Sequence, residues 1–160
     1  MKRSSILFLQ GVIVLLGIGV LFAMLWEPHL EGRNVQATFF EIYFNDLFLA
    51  YIYIASMPFF MALYQAFKLL RYIGNNQVFS LSSVKALRTI KYCAIVLSIF
   101  IVMAALYIRI FHAKDDDPAG FIALCIVTTF IVIVIATAAA VFERLLQSAV
   151  DMKSENDLTV

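Results

Sequence analysis

The stretch KLLRYIGNNQVFSLSSVKALRTIK, Lys68 to Lys91, lies between two long apolar runs and carries five of the chain's 12 basic residues: Lys68, Arg71, Lys85, Arg88 and Lys91. In a membrane protein a short loop with that excess of cations stays on the cytoplasmic side. Its location then dictates how every other segment is threaded. Within the loop, Gly74-Asn75-Asn76 is a helix stop and turn signal, and Ser80 is a good N-cap for a new helix. After it, Leu81, Val84, Leu87 and Ile90 recur every third residue, while Lys85, Arg88 and Lys91 do so on a different face. The third helix is therefore expected to begin in the cytoplasm as an amphipathic turn or two and then to enter the bilayer.

Composition agrees with a membrane setting. The 160 residues are 63% hydrophobic and 14% charged, with a mean hydropathy of +0.92, whereas soluble domains run about half apolar and a quarter charged. The length suits one domain, taken as residues 1–160. A net charge of +1 gives no reason to expect a nucleic-acid partner.

Four crossings follow. Ile6 to Trp26 is 21 residues without a charge, long enough to cross a ~30 Å hydrocarbon core at ~1.5 Å per residue. It is longer than a signal-peptide core, and Trp26-Glu27-Pro28-His29 is a poor cleavage site, so it is read as an anchor. Gln10, Gly11, Gly17 and Gly19 would let a neighbouring helix approach closely. The acidic loop Glu27 to Asp46 follows, with Phe39, Phe40, Tyr43 and Phe44 expected at headgroup level. The second crossing, 47–67, contains Pro58, expected to bend it, with Ser56 placed to satisfy a freed carbonyl. Tyr51, Tyr53 and Tyr64 on it are read as interhelical packing rather than cavity lining. The third crossing, about 92–111, is uncharged until Arg109, which can snorkel to the interface. A second external loop, with Asp115 to Asp117, ends in an N-cap and proline, Asp117-Pro118. The fourth crossing, 121–142, has a small-residue inner half, Ala136 to Ala140. Beyond it Phe142, Leu145, Leu146 and Ala149 keep an apolar face, with Glu143, Arg144, Gln147, Ser148 and Asp151 elsewhere, so residues 143–160 are expected to form an amphipathic cytoplasmic tail. The fold class is thus all-α: an integral membrane four-helix bundle with both termini cytoplasmic and the third and fourth helices reaching into the cytoplasm.

Charge counting gives the orientation. With both termini inside, Lys2, Arg3, the five loop cations, Arg144 and Lys153 make nine basic residues inside; Arg33, Arg109 and Lys114 make three outside. The positive-inside bias selects this threading over its inverse. It places Cys93 and Cys125 several helical turns apart in depth, too far for a disulfide, so both are read as small packing residues.

Chemical signals are few. No crossing has a carboxylate, lysine, arginine or histidine near its middle, which argues against proton-coupled transport, voltage sensing, an intramembrane metalloprotease or a charge-lined pore. Glu27-Pro28-His29-Leu30-Glu31 lacks the spacing of a zinc helix. Asp115 to Asp117 lacks the alternating ligands and glycine of a calcium loop. No catalytic, cofactor-binding or metal residues are therefore assigned. The stripe Lys85, Arg88 and Lys91 is read first as attracting anionic lipid. It is read second as pairing with the acidic tail (Asp151, Glu155, Asp157) or with an acidic patch on a cytoplasmic partner. Ser80, Lys85, Arg88 and Lys91, with Glu155, Asn156 and Asp157, form the candidate partner or lipid-headgroup surface.

Phe79-Ser80 followed by Val84-Lys85-x-Leu87-Arg88-x-Ile90-x-Tyr92, together with Glu155-Asn156-Asp157-Leu158-Thr159-Val160, resembles a bacterial family of small four-helix membrane proteins of unknown function. The resemblance extends over most of the chain. It implies a four-pass protein of the inner membrane with both ends inside. Members are often encoded beside a small helix-turn-helix regulator, which implies a regulatory or signalling pairing and brings no catalytic residues with it. Ser83 stands where many members have asparagine, a departure that bears on the helix start. The expected function is a non-enzymatic membrane regulator whose partners are membrane lipids, a cytoplasmic helix-turn-helix regulator and, through small-residue faces, a second copy of the chain. The alternative is a small transporter or immunity-type protein handling a lipophilic compound or a membrane-active peptide, motivated by Pro58 and the nearby tyrosines.

Overall fold

A computed structural model describes residues 3–30, 47–111 and 119–157 of the chain. They form four helices: α1 (Arg3–Leu30), α2 (Leu47–Gly74), α3 (Leu81–Phe111) and α4 (Ala119–Asp157). No strand occurs among the described residues. The helices contain 28, 28, 31 and 39 residues, which at ~1.5 Å per residue is about 42 to 58 Å each, more than a ~30 Å hydrocarbon core requires. All four are apolar enough to span one. Residues 31–46 and 112–118 lie outside the described residues, as do the readings placed on them: the headgroup aromatics, the external acidic turn and the Asp117 cap.

Helix ends are set by capping rather than by the edges of the uncharged runs. Lys68 and Arg71 do not stop α2, which runs to Gly74, seven residues beyond the expected crossing. There Asn76 N–H donates to the Ile73 carbonyl at 3.2 Å and Gln77 N–H to the Tyr72 carbonyl at 2.8 Å, the paired closure of a Schellman motif. The left-handed residue in it is Asn76, with φ of 57°; Gly74 faces the Ile6 side chain of α1, which a Cβ there would meet at 3.4 Å, an ordinary contact. Six residues later Ser80 caps α3 as expected, its Oγ accepting from Ser83 N–H at 3.3 Å. Ser83 is fully buried, and its hydroxyl donates to the Gln77 carbonyl at 3.0 Å. With serine at position 83 the helix start is intact, and the cap and the preceding turn are joined.

Packing follows chain order: α1 lies on α2, α2 also on α3, and α3 most extensively on α4. On α1 only Ile6, Gln10, Ile13, Gly17, Val20 and Met24 are even partly covered between Ser4 and Trp26. That spacing of four and three residues is the seam of a shallow helix crossing. Gly17 meets Leu63 of α2, whereas a Cβ at Gly11 or Gly19 would meet nothing within 4 Å. Of the three glycines expected to admit a neighbour, one does so. Tyrosine hydroxyls add two interhelical ties, Tyr53 to the Met24 carbonyl at 2.9 Å and Tyr51 to the Phe100 carbonyl at 2.6 Å. Tyr64 is exposed and takes no part in such a tie among the described residues; Lys68 Nζ sits 5.0 Å over its ring. α2 continues as helix through Pro58, and Ser56 Oγ donates to the Tyr53 carbonyl at 2.7 Å. The carbonyl that Pro58 leaves without its donor belongs to Ile54, so Ser56 does not fill the expected role.

The buried side of α4 is Cys125, Val132, Ala139 and Glu143, with Ala136 and Ala140 half-buried. α3, which packs on both α2 and α4, buries Leu87, Ile90, Cys93 and Ala94 among others. Both cysteines are free and buried, as packing residues are. Phe8, Leu15, Ile110, Ile126 and Phe130 instead point outward. Such a surface suits hydrocarbon rather than water.

Candidate functional site

The charged end of the molecule is built from the end of α2, the 75–80 turn, the start of α3 and the last turns of α4. Arg88 and Lys91 are three residues apart and so share a face of α3. Both reach one carboxylate on α4. Arg88 Nε donates to Glu143 Oε1 at 2.7 Å, and Lys91 Nζ donates to Glu143 Oε2 at 2.6 Å. The Glu143 side chain is 10% exposed, Lys91 22% and Arg88 52%. Lys91 Nζ also lies 4.8 Å over the Tyr92 ring, an additional favourable contact for its charge. The uncharged run of α3 begins directly after Lys91, and that of α4 ends directly before Glu143. The three charges thus sit at the rim of the apolar span, outside the run that would lie in lipid. There the Lys91 ammonium, and after it the Arg88 guanidinium, hold the Glu143 carboxyl below its ordinary range, against a smaller opposing effect of burial.

This pairing differs from the one expected. The sequence pattern puts Glu143 off the apolar face formed by Phe142, Leu145, Leu146 and Ala149. Instead Phe142 and Leu145 are exposed and Glu143 is buried on α3. It continues the seam Val132, Ala136, Ala139 at steps of four and three residues, and that spacing was the available signal. Arg88 and Lys91 are paired with Glu143 rather than with Asp151. Asp151 accepts from Gln147 Nε2 within α4 at 2.9 Å, Glu155 and Asn156 lie exposed on its last turns, and the side chain of Asp157 is outside the described residues. Lys85, one turn before Arg88, is exposed and has no ion-pair partner among the described residues. Ser80 is engaged as the α3 cap. Of the expected surface, then, Arg88 and Lys91 form an internal clamp, and Lys85, Glu155 and Asn156 remain outward-facing.

Among the described residues no group of three histidine, cysteine, aspartate or glutamate side chains is placed to hold a metal ion; the Glu27–Glu31 side chains lie outside them. Aromatic side chains gather at the opposite end of the helices. Phe48 stacks on Tyr107 with centroids 5.9 Å apart and meets Phe121 edge-on at 6.1 Å. Phe48, Tyr51, Met103, Ala104 and Tyr107 line a cavity of about 290 Å³. So Tyr51 both packs between helices and lines a cavity.

Four long apolar helices with outward-facing hydrocarbon surfaces, carrying their ion pairs at one rim, define a multi-pass α-helical membrane protein. More specifically, the chain belongs to the DUF2975 family of proteins of unknown function, whose profile matches residues 12–160. It is 43% identical, over 161 residues and the full length of both chains, to YoaS, an uncharacterized membrane protein of Bacillus subtilis (strain 168). No solved structure matches it. The family expected from the Phe79–Tyr92 segment and the C-terminal segment is the one found.

Proposed function

We propose that this protein is a non-enzymatic regulator of the bacterial plasma membrane, with both termini in the cytoplasm, whose charged end engages a cytoplasmic helix-turn-helix regulator. The observation that carries the reading is the length and anchoring of α4. Its uncharged run, Ala119 to Phe142, has 24 residues and already spans about 36 Å, enough for the bilayer. The helix continues for residues 143–157, a further ~22 Å. The first residue of that extension is clamped to α3 by two ion pairs. A rigid, polar platform outside the lipid is what a docking surface requires. The distribution of lysine and arginine supports placing it in the cytoplasm.

Lys85 and Arg71 are the residues to test, because both are exposed and neither takes part in the clamp. A photo-crosslinker at Lys85 in intact cells is expected to capture a helix-turn-helix DNA-binding protein, and Arg71→Glu to abolish the adduct. Adducts to lipid alone would refute the proposal. A second reading, handling of a small lipophilic compound, is favoured by the aromatic cavity at Phe48, Tyr51 and Tyr107. It predicts that Ala104→Phe, which fills that cavity, changes sensitivity to such compounds and leaves the Lys85 adduct intact.

A further inference from the structure

The α3–α4 hairpin carries another feature, at the end away from the ion pairs. A groove of about 780 Å³ runs between the two helices, walled by side chains such as Leu106, Ile122, Ile126 and Phe130, and Arg109 is the one charged lining residue among the described residues. Leu106, Ile126 and Phe130 are more than half exposed, so the groove opens on the outward, hydrocarbon-facing surface. Arg109 makes no ion pair among the described residues. On α4 the lining extends from Ala119 to Ile133, about 21 Å at ~1.5 Å per residue. Half of a ~30 Å hydrocarbon core is about 15 Å, so the groove follows the full depth of one leaflet.

We propose that this groove holds one glycerophospholipid, with its phosphate on the Arg109 guanidinium and one acyl chain along the α3–α4 seam. An occupant of an apolar groove that opens into hydrocarbon must come from the lipid phase. The cation at its end selects a lipid that carries an anionic group at headgroup depth. A guanidinium offers a planar pair of donors that matches two phosphate oxygens. The molecule contains its own control: the groove between α1 and α2, about 440 Å³ and lined by Ile13, Gly17, Leu63 and Phe67 among others, has no charged lining residue among the described residues. The same apolar character without the cation gives no reason for a headgroup to be held there.

The experiment uses the full chain in detergent micelles, with phosphatidylglycerol, phosphatidylethanolamine or diacylglycerol added, read by native mass spectrometry. One phospholipid molecule of either headgroup is expected to be retained in preference to diacylglycerol, which lacks the phosphate. Arg109→Gln should weaken retention by about tenfold, the scale of a lost charge-assisted contact, while Lys153→Gln, exposed on the last turns of α4 far beyond the apolar run, leaves it unchanged. In parallel, a phospholipid with a diazirine midway along its acyl chain is expected to label residues 102–109 and 119–133 of the wild-type protein over residues 13–21. Equal retention of diacylglycerol, equal retention by Arg109→Gln, or equal labelling of the α1–α2 groove would overturn the assignment. Should Arg109→Gln fail to accumulate, the wild-type labelling pattern decides.

Discussion

Replacing Glu143 by glutamine keeps the shape of the side chain and removes the charge that two cations share. The amide oxygen can still accept from one of them, but the amide NH₂ then faces the other, donor against donor. Exposed ion pairs contribute about 0–1 kcal/mol, whereas removing one partner of a fully buried pair costs about 3–5 kcal/mol. With Glu143 10% and Lys91 22% exposed, the site lies between those limits, and a loss of about 2 kcal/mol is expected. The assay is reversible unfolding in bicelles, with Arg144→Gln as reference. Arg144 is the next residue, exposed and without an ion pair among the described residues, so its loss should stay within about 0.5 kcal/mol. Lys91→Gln completes a double-mutant cycle with Glu143→Gln, and the two losses should fall short of additivity because each removes the same contact. If Glu143→Gln matches Arg144→Gln, or if the two changes simply add, the clamp contributes nothing to the α3–α4 contact and the rigid-platform reading fails with it.

Other consequences follow from single positions. Because the folded protein holds the Glu143 carboxyl below its ordinary value, its contribution is complete above the unfolded carboxyl range near ~4.3 and is lost as pH falls through the depressed folded value; unfolding measured from pH 7 downward should show the gap between wild type and Glu143→Gln closing only in acid. Asn76, at φ of 57°, should accept glycine without loss, whereas Asn76→Ala should cost about 1 kcal/mol in the same unfolding assay. Gly17→Ala brings a methyl to an ordinary 3.5 Å from Leu63 and should be tolerated, while Gly17→Leu should separate α1 from α2, read as loss of a cysteine crosslink between the two helices; Gly19→Leu, with open space around it, is the matched control.

The parts of the fold that the sequence makes readable are those that lipid enforces. A helix in hydrocarbon must satisfy its own backbone and exclude charge, so four uncharged runs announce four spans. Once a helix leaves the lipid, that constraint lapses, and local chemistry decides where it ends. Ser80 was readable because a cap is a single-residue signal. The α2 terminus is readable for the same reason: Gly74-Asn75-Asn76 is a stop signal, and the helix ends at Gly74 with Asn76 in the left-handed position. Glu143 is not readable in that way. Its burial depends on how α4 is rotated about its axis and on its depth relative to α3, which are properties of two helices and of neither alone. Yet the depth has a physical cause that a sequence does contain. In an antiparallel hairpin the uncharged runs of both helices must begin and end at the same membrane rims, which brings Lys91, just before one run, level with Glu143, just after the other. Sliding α4 inward by one turn, about 5.4 Å, would draw Glu143 into hydrocarbon and away from both cations. The membrane boundary and the ion pair therefore specify the same register.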